Sequence, residues 1–445
     1  MAAKIQLSEH FNYGRLIRFV LPSIGMMIFT SIYGVVDGLF VSNFVGKTPF
    51  AAINLIMPLL MILGTVGFMV GAGGSAIVAK TMGEGRKDQA SRYFTMLILT
   101  TLILGVTFAV IGQLGLRRGA MLLKAEGEML ENCVIYGRII ISALPAFMMQ
   151  NVFQSFLITA ERPQVGLAIT VGAGITNMVL DFLFVAVFRW GIAGAALATS
   201  FSQVVGGITP VIYFVVQKTC PIRFVKTKFY PRVFLKTCTN GSSELMTNIS
   251  MSLVSMLYNF QLMSLAGEDG VAAYGVIMYV GFIFVAVFIG YSIGSAPIVS
   301  FHYGADNRDE LKNLFRKSLV LMAAGGIVML LLSLAMAGLL AKIFVGYDSG
   351  LFEMTARGLR IYALSFVVTG VNIFSSSFFT ALNNGLVSAA ISFLRTLVFQ
   401  VVVVLTLPVL LGLTGVWLGA LGAELLSFAV AVIFFIAQKN RYGYM

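Results

Sequence analysis

The chain has 445 residues, 58% of them hydrophobic and only 11% charged, with a net charge of +12 and a mean hydropathy of +0.93. A soluble domain carries about 25% charged residues, so these values exclude an ordinary soluble enzyme or nucleic-acid-binding protein and predict an all-α integral membrane protein. Three scattered cysteines (Cys133, Cys220, Cys238) and two isolated histidines (His10, His302) give no metal or nucleophile spacing, so neither a cofactor nor a catalytic site is expected.

The first apolar run, 16–43, is too long for a signal peptide and has no A-x-A cleavage site. It contains Pro22 and Tyr33, and an acid, Asp37, at membrane depth in YGVVDGLFVS. Further runs of spanning length follow at 50–76, 92–116, 131–159, 164–188 and 191–217. Met57, Met149 and Phe153 with Tyr33 suit a pliable surface for organic molecules, although for any one of them ordinary helix packing is the stronger reading. The fifth run holds ITNMVLD, in which Asn177 and Asp181 are four residues apart and share one helix face. The sixth carries Thr199 in GAALATSFSQ. An acid at the bilayer centre costs about 2.5–3.5 kcal/mol on insertion scales, so Asp37 and Asp181 are expected to face a shared cavity.

A link at 218–236 with six basic residues and no acid precedes a second set of runs, at 237–264, 271–297, 313–341, 356–381, 385–410 and 413–438. This half contains Glu244, Arg395 and Glu424 at membrane depth. The three could form a buried ion network, or Glu244 and Glu424 could line a cavity that draws cations. Lys and Arg favour the side that holds Lys4, Arg86, Lys87, Lys218, Arg308 and Lys439, whereas the other side has fewer, among them Lys47 and Arg117. Both termini are therefore expected in the cytoplasm, with the protein in the cell (inner) membrane.

A shift of 221 residues superposes the halves: GEGRKDQ (83–89) on GADNRDE (304–310), Gly73 on Gly294, Asn151 on Asn372, and Gly191 on Gly412. Six spans per copy predicts a parallel repeat with an N-lobe (1–217), a basic linker (218–236) and a C-lobe (237–445), and a cavity between the lobes.

Twelve spans as six plus six, the opening LPS–YGVVDGLFVSNFVG, the GEGR loop, and TNMVLDFLF followed by GAALATSFSQ resemble the multidrug and toxic compound extrusion (MATE) transporters of prokaryotic type. The resemblance implies a V-shaped, two-lobe antiporter that exports organic, often cationic, compounds against protons or sodium ions. One branch of the family holds its cation in the N-lobe with an aspartate of helix one, an Asn and an Asp of helix five, and a threonine of helix six. Those positions match Asp37, Asn177, Asp181 and Thr199, and Pro22 matches the helix-one proline at which that branch bends. The other branch uses an acid pair in helices seven and ten; Glu244 is present here, but span ten has no central acid.

The chemistry agrees. Two carboxylates in one dehydrated site cannot both stay charged cheaply, so the pair accepts a proton readily. With the oxygens of Asn177 and Thr199 it also offers hard donors for sodium, the one metal expected here. The expected partners are a small organic substrate and the lipid bilayer, with the monomer as the working unit. The competing reading, a flippase for lipid-linked saccharides, would need several cavity-facing Arg and Lys, and only Arg395 lies deep.

Overall fold

The computed structural model describes residues 5–217 and 219–445; Lys4 and Lys218, used above in the charge asymmetry, lie outside them. Among the described residues the regular secondary structure is all helical, with no strand. Helices α1 (Tyr13–Phe44), α2 (Lys47–Gly83) and α3 (Lys87–Leu122) come first. The fourth span, α4, is a pair, Gly127–Ser142 and Leu144–Thr159, bent by 53°. Then α5 (Pro163–Asp181) runs into a π-helical segment, Phe182–Val187, and α6 is Gly191–Val216.

A helical stretch, Pro231–Gly304, is broken at Gly267 (φ 61°, ψ −149°), which separates α7 from α8. The C-lobe continues with α9 (Arg308–Val345) and a second bent pair, α10 (Ser349–Ala363 and Phe366–Ala381, again 53°). Helix α11 is Gly385–Phe393, a π segment Leu394–Val398, and Phe399–Leu411; α12 is Leu413–Tyr442. Twelve spans result, as the apolar runs predict. Several overshoot the bilayer: at 1.5 Å per residue, α2 is about 55 Å long.

The two halves turn at corresponding places. Gly46 and Gly267, Gly85 and Asp306, and Gly191 and Gly412 all have positive φ. The close approaches between halves fall on the face that carries both termini. A Cβ on Gly83 would overlap the carbonyl of Phe301, and one on Gly304 would overlap that of Lys80. Gly73 and Gly241 meet backbone to backbone, and Gly290 and Gly294 of α8 admit Val20, Ser23 and Ile24 of α1. Small residues permit this contact, which in lipid stands in for the hydrophobic effect.

Apolar packing follows the same division. One core near the terminal face joins both halves, through Phe11, Phe94, Phe288, Phe315 and Phe378 among others. Away from that face, each half has its own separate core. The halves therefore meet at the terminal face and part toward the other.

Two non-helical segments strap this face. Before α1, Leu7 and Phe11 are fully buried; Leu7 N donates to Glu161 of the first half, and Phe11 N to Glu310 of the second. His10 Nδ1 lies 2.6 Å from Glu310 Oε2, and His302 meets the Phe11 ring edge-on at 6.5 Å. The two histidines, isolated in sequence, thus share one cluster. The basic link lies along α3, with Val225 N donating to Thr95 Oγ1 and Thr227 Oγ1 to the Arg92 carbonyl. Helix resumes at Pro231, six residues before the predicted start at 237, because Pro at a first helical position loses no hydrogen bond.

Candidate functional site

In the first half, α1 and α5 face each other through matching stripes. Phe29, Tyr33 and Asp37 recur every four residues on α1; Gly174, Asn177 and Asp181 recur every three to four on α5. Gly174 makes the contact possible, since a Cβ there would collide with the rings of Phe29 and Tyr33. One turn further along, the carboxyl of Asp37 lies against the side chains of Asp181, Asn177 and Thr199. Thr199 comes from α6, and the buried ring of Tyr136, from α4, stands near both acids. Tyr136 was not singled out by sequence because a tyrosine in an apolar run carries no signal of its own.

The cluster is enclosed, with Asn177 2% and Asp181 0% exposed. Asp37 Oδ1, both Asp181 oxygens, both Asn177 amide atoms and Thr199 Oγ1 make no completed hydrogen bond among the described residues. Native proteins rarely leave buried polar atoms so, and where they do the site calls for an explanation, such as a bound ion or a proton. Directly after Asp181 the helix widens into its π segment, shown by the Phe188 N to Leu183 carbonyl bond at 2.8 Å. Such segments favour functional positions because they redirect side chains without ending the helix. Pro22 lies inside α1, which continues through it. The half of α1 around Pro22 packs on α8, and the half around Asp37 packs on α5, so this one helix touches both lobes.

The second half holds a cavity of about 420 Å³ whose walls include Glu244, Tyr258, Tyr274, Tyr362, Arg395, Trp417 and Glu424. Arg395 grips Glu424 with two nitrogens: Nη2 donates to Oε1 at 2.7 Å, and Nε to Oε1 and Oε2 at 3.0 and 3.2 Å. Asn372 Nδ2 donates to Glu424 Oε2 and to the Glu424 carbonyl. The Glu244 carboxylate has no bonding partner among the described residues; Asn248 Nδ2 donates to its backbone carbonyl. The three-membered ion network expected from sequence is therefore a pair, completed by Asn372, with Glu244 standing apart on the same cavity wall. Tyr258 and Tyr274 stack at 4.9 Å, and the Tyr258 hydroxyl donates to Gln400.

Four expected cavity residues are not on the wall of this cavity. Phe153 is fully buried against Phe94 and Phe214, and Met149 is buried in the same core. Their helix is flanked by others on that side, which a run of apolar letters does not reveal. Met57 packs on the outer core of the first half, and Tyr33 belongs to the Asp37 stripe. Among the described residues no group of three or more His, Cys, Asp or Glu is placed to hold a metal ion.

A family model described as MatE matches the chain twice, over residues 22–183 and 245–406. The multidrug export protein MepA of Staphylococcus saprophyticus is 22% identical over 432 residues, covering 96% of this chain and 94% of that protein. MepA of Staphylococcus aureus (strain NCTC 8325 / PS 47) is 21% identical, with 96% and 94% covered. Among solved structures, an outward-facing conformation of a multidrug resistance MATE family transporter of the MOP superfamily superposes with a TM-score of 0.91 at 22% identity, covering 97% of this chain and 96% of that one. A MOP superfamily transporter from Pyrococcus furiosus, described as having a binding pocket of reverse polarity that suggests a different function, gives 0.90 at 21% identity with the same coverage.

Proposed function

The chain belongs to the MatE family, and from that premise we propose that it is a secondary active transporter that exports small organic, chiefly cationic, compounds by antiport with protons or sodium ions. The observation that carries this reading is the enclosed Asp37–Asn177–Asp181–Thr199 cluster with its unpaired oxygens. A proton satisfies it by neutralising one carboxylate; sodium does so by accepting lone pairs from the carboxylates, the Asn177 amide and the Thr199 hydroxyl. In this reading residues 1–217 and 237–445 are the two lobes, joined by the basic link 218–236, and the monomer is the working unit. The terminal face is cytoplasmic in a cell membrane, with its basic side chains against anionic headgroups.

Alternating access then follows from α1. Charge on the acids governs how its outer half packs on α5, and its inner half, around Pro22, packs on the opposite lobe. A cation bound at Asp37 and Asp181 thereby changes the relative stability of the outward- and inward-open arrangements, which is the differential affinity that coupling requires. The enclosed cluster has no catalytic partner set, and the family is one of transporters. A flippase for pyrophosphate-linked saccharides fits less well, because it would need several basic side chains on the cavity wall, and among the described residues Arg395 is the one that lines the C-lobe cavity.

The test is efflux of a fluorescent organic cation from proteoliposomes under a proton gradient and a sodium gradient imposed separately. Asp37→Asn and Asp181→Asn should each abolish the gradient-driven component, a coupling worth about 5- to 150-fold. Transport that survives both substitutions would move coupling out of the N-lobe.

A further inference from the structure

The C-lobe cavity has two chemically distinct poles, and the proposal drawn from them rests on the export reading above. One pole is Glu244, whose carboxylate has no protein partner among the described residues and faces the cavity. The other is Arg395. Its Nε and Nη2 are taken by Glu424, which is itself fixed by Asn372, while its Nη1 bonds to no described residue. The pair is neutral, 17% and 8% exposed at its two side chains, and fixed at both ends, so the guanidinium cannot swing away. Tyr258, Tyr274, Tyr362 and Trp417 line the same cavity. Drug-sized ligands occupy cavities of about 300–1,000 Å³, and this one holds about 420 Å³.

We propose that this cavity prefers aromatic zwitterions, with Glu244 receiving the ammonium end and Arg395 Nη1 donating to the carboxylate end. A purely acidic cavity would repel a ligand carboxylate. Here the fork of Arg395, held in place by Glu424, supplies a charge-assisted donor at no cost of reorganisation. The aromatic walls meet the ligand's ring plane and attract its cationic portion through their π faces. Arg395 is thus a specificity-determining residue, with Glu424 and Asn372 positioning it.

The test uses a rhodamine bearing a free benzoate, a zwitterion, and its methyl ester, a cation with the same chromophore. Binding of both to the full-length protein in nanodiscs is followed by fluorescence polarisation. The wild type should bind the zwitterion at least as tightly as the ester. In Arg395→Met/Glu424→Met, where the pair is removed together and no orphaned charge is left, the ratio of the two Kd values should move about tenfold toward the ester. Arg395→Lys, which keeps the charge but loses the fork, should move it part of the way. An unchanged ratio in a variant that remains monodisperse overturns the proposal, because a merely structural pair would alter both ligands alike. A wild type that binds only the ester also overturns it, while leaving the export reading intact. Binding of neither dye removes the cavity as a ligand site and counts against the export reading as well.

Discussion

The Arg395–Glu424 pair shows how a single residue pair is constrained in this environment. Removing one member leaves the other as an uncompensated buried charge. Glu424→Gln is therefore expected to destabilise the protein by about 3–5 kcal/mol, whereas Arg395→Met/Glu424→Met should be close to neutral. Thermal unfolding of the purified variants in detergent checks the order, and equal losses for both would contradict it. Glu244 is the opposite case, a carboxylate with no partner to orphan among the described residues. Glu244→Gln should leave the melting temperature unchanged and weaken organic cations by about tenfold while sparing neutral substrates, read from competition binding. The membrane-depth acids were legible from sequence because charge is conspicuous in an apolar run. Which of them pair was not, since Glu244 and Glu424 are 180 positions apart and nothing in the letters says that only one reaches Arg395.

Elements carry the next set of constraints. The π segment after Asp181 contains one more residue than a regular helix would use over the same rise. Deleting Ala186 should restore α-helical register and keep the fold, yet turn Asn177 and Asp181 by about 100° relative to the outer end of α5. Gradient-driven transport is then expected to disappear with helical content, measured by circular dichroism, unchanged; full activity would show that the register is immaterial. At the α7–α8 corner, Gly267 occupies a backbone region that is essentially glycine's alone. Gly267→Ala should cost about 1–3 kcal/mol in stability. The helices themselves were readable from apolar run length. The bends at 143 and 364–365 and both π segments were not, because they replace one hydrogen-bond pattern with another and leave hydropathy unaltered.

At the scale of the molecule, the two halves lock where glycines let backbones touch. Gly83→Val or Gly304→Val would drive a side chain into the opposing carbonyl and hold the terminal face open. With spin labels at Lys87→Cys and Arg308→Cys, two exposed positions on opposite halves, either valine variant should shift the distance distribution to longer values. A distribution identical to the parent would show that these contacts do not set the closed state. The buried Leu7 and Phe11, and the bonds of their segment to Glu161 and Glu310, belong to the same closure.

The sequence by itself determined the solvent, the number of spans, their division into two sets of six, and the two acids of the first lobe. Each of these is local or periodic: a run long enough to cross a bilayer, a charge inside it, a pattern that recurs. Only the tertiary structure decided that Asp37 meets Asp181 across two helices, that Arg395 chooses Glu424 over Glu244, and that Phe153 is core and not cavity wall. It also decided that His10 and His302 share one cluster, through Glu310 and Phe11, at the terminal face. Those outcomes depend on helix rotation and on the close approach of backbones at Gly73, Gly83, Gly174 and Gly304. In lipid such contacts are selected by shape and hydrogen bonding, because nearly every face of every helix is already apolar.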